Sequence, residues 1–93
     1  MEHEHKLTIL LQKALANSFN VLGWSPADIE ARTELDSTGE EAVFVTLYLP
    51  THKPFLSGPE YRSAHTWIIS ILADRQIDRP VYLRLAGEKV QAA

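Results

Sequence analysis

The run Ala42-Val43-Phe44-Val45-Thr46-Leu47-Tyr48-Leu49-Pro50 constrains the fold more than any other stretch. β-Branched and aromatic residues fit the pleated surface of a sheet, and the closing proline cannot continue a ladder. Side chains alternate between the two faces of a strand. Val43, Val45, Leu47 and Leu49 therefore share one aliphatic face, and Phe44, Thr46 and Tyr48 share the other. The first set suits the floor of a hydrophobic core. The second is too apolar for an ordinary solvated face and too mixed for a core.

Two further segments alternate in the same way. Ile29, Ala31, Thr33 and Leu35 are set against Glu30, Arg32 and Glu34, and Val81, Leu83 and Leu85 against Tyr82 and Arg84. Asp36-Ser37-Thr38-Gly39 lies directly between the first segment and the central run, which predicts a hairpin. A helix starting at Ser25 competes for Ile29–Leu35, because Ala27, Ala31 and Leu35 recur every fourth residue and Glu, Ala and Arg favour helices. The turn cluster decides for the strand. Trp24 to Asp28 reads as a turn in which Ser25 caps a short helical turn, with Pro26 at its first position.

Two segments carry helical periodicity. From Leu7 to Leu22, the residues Leu7, Leu10, Leu11, Ala14, Leu15, Val21 and Leu22 form one apolar sector, and Gly23 supplies a stop. Ile9 and Phe19 project away from that stripe and are secondary candidates for a contact with another chain. From Pro59 to Asp74, Tyr61, Ala64, His65, Ile68, Ile69, Ile71 and Leu72 fall on one side, with Trp67 at the boundary. Ser57 and Glu60 have capping-box spacing at its start. Pro80 prevents a helix from continuing into the last strand. Residues 1–5 and 88–93 are expected to fray.

These elements define a single α+β domain over residues 1–93, a two-layer sandwich of α-β-β-α-β order. Both helices lie on one face of a three-stranded sheet. A right-handed connection brings the last strand parallel to the second.

Composition narrows the function. A chain of 93 residues with 45% hydrophobic and 23% charged residues has enough for one core and little more. There is no cysteine, which removes disulfides, thiolate metal sites and cysteine nucleophiles. A small domain without such staples gains stability from a partner. Met1-Glu2-His3-Glu4-His5-Lys6 has no secretory pattern, and no apolar run reaches the roughly 18–20 residues of a membrane span. The expectation is a cytoplasmic protein with no membrane contact.

Chemistry is hard to find. His3 and His5 belong to a terminal segment without a fixed second shell, so no metal site is assigned. His65 lies in the apolar face of the second helix and reads as a core histidine with one hydrogen-bond partner. His52, Lys53 and Phe55 occupy the long loop 50–58, where binding residues often sit. There is no Gly-x-Ser-x-Gly elbow, phosphate-binding loop or dinucleotide fingerprint. No catalytic residue and no cofactor is assigned, and the sequence leans away from an enzyme.

The sheet face that the helices leave uncovered is the remaining feature. It carries Arg32, Phe44, Thr46, Tyr48, Tyr82 and Arg84 beside Glu30 and Glu34. Aromatic residues and arginine are enriched at protein interfaces, which points to an interaction module, homodimeric through this face or a sheet edge. The alternative is single-stranded RNA, which stacks on aromatic sheet faces. The net charge of −3 and the lack of a Gly-Phe/Tyr-Gly string weigh against it. The element order is similar to that of type II KH modules, whose Gly-x-x-Gly loop clamps a nucleic-acid backbone. Here the second helix is entered by Leu56-Ser57-Gly58-Pro59-Glu60, with one glycine and an acid. The likeness is one of topology alone, and no family is claimed from it.

Overall fold

The computed structural model describes residues 2–87, and their side chains from Lys6 onward. Strand β2 (Glu41–Tyr48) is the middle of a three-stranded sheet, between β1 (Asp28–Leu35) and β3 (Val81–Ala86). β1 runs antiparallel to β2, and β3 runs parallel to it. Helix α1 (Glu2–Ala14), the short helix α2 (Ser18–Leu22) and helix α3 (Gly58–Asp74) complete the α-β-β-α-β order. The sheet is mixed, the two main helices share one face, and the fold is an α+β sandwich.

The core is the aliphatic side of β2. Val43, Val45 and Leu47 are fully buried, and Ile29 of β1, Leu11 of α1, and Ile68 and Leu72 of α3 meet them there. Burying a large aliphatic side chain is worth about 1.5–3 kcal/mol, so this layer carries most of the driving force for folding. Among the described residues, no helix is long and apolar enough to cross a membrane.

The hairpin turn follows from its first residue. Asp36 Oδ1 accepts hydrogen bonds from the Thr38 N–H at 2.9 Å, the Thr38 hydroxyl at 2.6 Å and the Glu40 N–H at 3.0 Å. Gly39 then takes φ +84°, the left-handed residue that ends a three-residue hairpin loop. The Ile29–Leu35 segment is a strand, and the competing helix does not form.

The first helical segment departs from the expectation of one helix over Leu7–Leu22. α1 ends at Ala14, a 3₁₀ turn covers Leu15–Asn17, and α2 resumes at Ser18. The Ser18 hydroxyl donates to the Leu15 carbonyl at 2.8 Å, and Asn17 sits at φ −111°, ψ 8°. Serine and asparagine side chains compete for backbone groups, and the tightened turn is the result. The helical turn expected at Ser25 is also absent. The Ala27 N–H instead donates to Tyr48 O at 2.8 Å, which draws that segment into the sheet, with Trp24 and Pro26 buried beside it.

Helix α3 begins as its sequence requires. Ser57 and Glu60 form a capping box, with the Glu60 N–H donating to Ser57 Oγ and the Ser57 N–H to Glu60 Oε1. Lys53 pairs with Glu60 and also lies over the Trp24 ring, 5.7 Å from its centre. One lysine thus holds the long loop to both the start of α3 and the turn before β1. The buried stripe is Ala64, Trp67, Ile68 and Leu72, so it is rotated from the sequence reading: Trp67 is inside and Ile69 is 42% exposed.

The Lys53 ammonium, with help from the Ser57 N–H, holds the Glu60 carboxyl down at about 2. A carboxyl whose value falls on folding adds stability above its ordinary value of 4.5, and that stability is lost as the pH drops toward about 2. Thermal unfolding should therefore show Glu60→Gln less stable than the parent near neutrality. The gap should close as the pH is lowered through that window.

Candidate functional site

The face of the sheet away from the helices is the candidate. Register places Arg32, Phe44 and Tyr82 in one row across the three strands, and Glu30, Thr46 and Arg84 in the next. Every residue expected on this face is there. Phe44 and Tyr82 stack with ring centres 5.1 Å apart and planes 18° from parallel. Such pairs contribute about 0.5–1.5 kcal/mol beyond the area they bury. Phe44, Thr46 and Tyr48 are half-buried, whereas Tyr82 is 46% exposed.

Tyr82 does more than stack. Its hydroxyl donates to Asp36 Oδ2 at 3.1 Å, so the side chain spans from β3 to the far end of the hairpin. Ala42, which alternates onto the same face of β2 as Phe44, is fully buried. Sequence reasoning missed both Asp36 and Ala42 as parts of this face. Asp36 reads locally as a turn residue, and nothing near it in sequence announces a tyrosine 46 positions away.

A shallow groove of about 390 Å³ runs along this face. Phe44 and Thr46 form its floor, with Glu30 and Arg32 on one bank and Tyr82 and Arg84 on the other. Arg32 Nε lies 3.4 Å from Glu34 Oε1, an exposed pair of small energetic weight. The Asp36 carboxyl is held below the ordinary carboxylate value, chiefly by the Thr38 hydroxyl, with backbone N–H groups and Tyr82 adding to it. The same bond pushes the Tyr82 phenol up, so it stays protonated and donating through the neutral range. A site-resolved NMR titration should find the Asp36 carboxyl raised in both Thr38→Ala and Tyr82→Phe. The larger rise should come from Thr38→Ala.

The sheet edges are partly closed. The ladders turn the N–H and C=O groups of Ala31 outward on β1, and those of Val81 and Leu83 outward on β3. The Thr8 hydroxyl of α1 both accepts from the Ala31 N–H and donates to the Ala31 carbonyl, each at 3.0 Å. On the other side, Tyr61 Oη donates to Leu83 O at 2.7 Å, and His65 Nε2 lies 2.9 Å from Val81 O. A carbonyl accepts only, so that His65 nitrogen carries a proton. His65 is half-buried and has the one backbone partner expected of it.

The other candidates do not join this face. Ile9 lines a cavity on the helix side, and Phe19 is 63% exposed on α2. In the loop, His52 and Phe55 are exposed while Lys53 is engaged with Glu60 and Trp24. His3 and His5 fall outside the described side chains. Among the described residues, no three His, Cys, Asp or Glu side chains gather where a metal ion would sit.

Fold and face together define a two-layer α+β domain with an aromatic, charge-bearing sheet surface. No family model, no curated protein and no solved structure matches the chain.

Proposed function

We propose that the protein is an interaction module that forms a homodimer by packing two uncovered sheet faces together. The observation that carries this reading is the stacked Phe44–Tyr82 pair on a face that nothing among the described residues covers. Stacked sheets keep their strands within about 30° of each other. A two-fold axis running along β2 meets that condition and sets β1 of one subunit opposite β3 of the other. Glu30 then faces Arg84 of the partner subunit, and the charges of that row complement each other. Pairing through an edge has less to recommend it, since Thr8, Tyr61 and His65 already occupy edge groups.

Single-stranded RNA draws less support from the geometry. Each ring of the Phe44–Tyr82 pair spends one face on the other, and Glu30, Glu34 and Asp36 flank the aromatic row. Sedimentation equilibrium at micromolar concentrations tests the dimer. The expected mass is twice the 10.5 kDa of one chain, and a single-chain mass throughout would overturn the reading.

A further inference from the structure

A cavity of about 710 Å³ opens on the helix side of the sheet, between α1 and the turn that joins α3 to β3. That volume lies within the range of about 300–1,000 Å³ usual for small-molecule sites. Leu7, Leu10 and Ile77 give it an apolar lining. Among the described residues around this lining stand four cations, Lys6, Lys13, Arg75 and Arg79, against one acid, Asp78. The whole chain has 9 lysines and arginines and a formal net charge of −3, so the concentration of positive charge here runs against the overall balance. Arg79 is engaged with Glu41 at 2.6 Å. Lys6, Lys13 and Arg75 have no ion pair among the described residues.

One detail of the wall is not needed for packing, and a second is shaped by the end of α3. Thr33 Oγ1 is buried without a hydrogen-bond partner among the described residues, although buried polar atoms are nearly always satisfied. Gln76 has φ +60°, and its neighbours complete the end of α3: the Gln76 N–H donates to Ala73 O at 2.9 Å and the Ile77 N–H to Leu72 O at 3.0 Å. Glycine is the residue that takes this left-handed position at least cost. Here the residue is Gln76, exposed at the cavity wall.

We infer that this cavity binds a small amphipathic organic acid. The apolar body lies along Leu7, Leu10 and Ile77, and the carboxylate is held among Lys6, Lys13 and Arg75. Arginine offers a carboxylate two parallel donors, and lysine adds a mobile point charge. Neither polar nor apolar ligands alone match a lining that combines aliphatic and cationic side chains. The cavity and the aromatic face lie on opposite sides of the sheet, so this site does not depend on the dimer.

The test is an NMR titration of the isotope-labelled full chain with decanoate below its micelle-forming concentration. Acetate serves as the anion without a tail and decyltrimethylammonium as the tail with the opposite charge. Decanoate is expected to shift the amides of Lys6–Lys13 and Arg75–Arg79 and to saturate, while the two comparison probes do not. Arg75→Glu and Lys13→Glu, both at exposed positions, are expected to keep a native spectrum and to weaken binding about tenfold or more, as loss of a charge-assisted hydrogen bond does. Shifts confined to the Phe44–Tyr82 face, equal binding by the cationic probe, or affinity unchanged in both variants would each overturn the proposal. So would the absence of saturable shifts with decanoate at millimolar concentration.

Discussion

A chain carrying Phe44→Glu is expected to sediment at the mass of one subunit while keeping the circular dichroism and cooperative unfolding of the parent. Phe44 is the centre of the aromatic row, with Arg32 on one side and Tyr82 stacked on the other. Its side chain points away from the core, so a carboxylate there is solvated in the monomer. In the dimer the same carboxylate would be buried, and an unpaired buried charge costs several kcal/mol. That asymmetry is what separates an interface residue from a core residue. Arg84→Glu should weaken the dimer less and make it more sensitive to salt, since it acts through charge at the rim. If Phe44→Glu leaves a dimer intact, the contact lies elsewhere, and the exposed Phe19 is the next position to change.

The opposite behaviour is expected of Leu47→Ala. Leu47 lies on the same strand, three residues along, but on the aliphatic side and without exposed surface. Truncating a fully buried leucine costs about 2–5 kcal/mol, the spread depending on how far the surroundings collapse into the gap. A small domain has a total stability of about 5–15 kcal/mol, so the midpoint of chemical denaturation should fall sharply. The two variants sit on opposite faces of β2 and should separate cleanly. One changes mass at constant fold, and the other changes stability first.

Much of the architecture was legible because alternation is a direct record of which side of a sheet a residue faces. The pairing of Asp36-Ser37-Thr38-Gly39 with a hairpin, the capping box at Ser57 and the stop at Gly23 all rest on local chemistry, and each is found. The failures share a different character. The break at Asn17 depends on the Ser18 hydroxyl choosing a carbonyl within one turn, which periodicity does not encode. The inward rotation of Trp67 depends on what lies opposite it. The link from Tyr82 to Asp36, and the cavity between α1 and residues 75–79, join segments far apart in sequence. No window slid along the chain sees such pairs. The aromatic composition of the face could be read in advance, but its shape could not.

The side chains that α1 and α3 lay along the sheet margins also bear on the stoichiometry of the proposed dimer. A sheet with bare margins can recruit strands without limit, each addition recreating the margin that invited it. Thr8 at Ala31, and Tyr61 and His65 at β3, take up groups that such growth would use. The broad surface of the sheet behaves differently, because two copies related by a two-fold axis consume each other's and leave none over. With lateral recruitment hindered, the proposed assembly through the aromatic surface would terminate at two. The helices would therefore have a second consequence beyond covering the core: they would keep such a self-association finite.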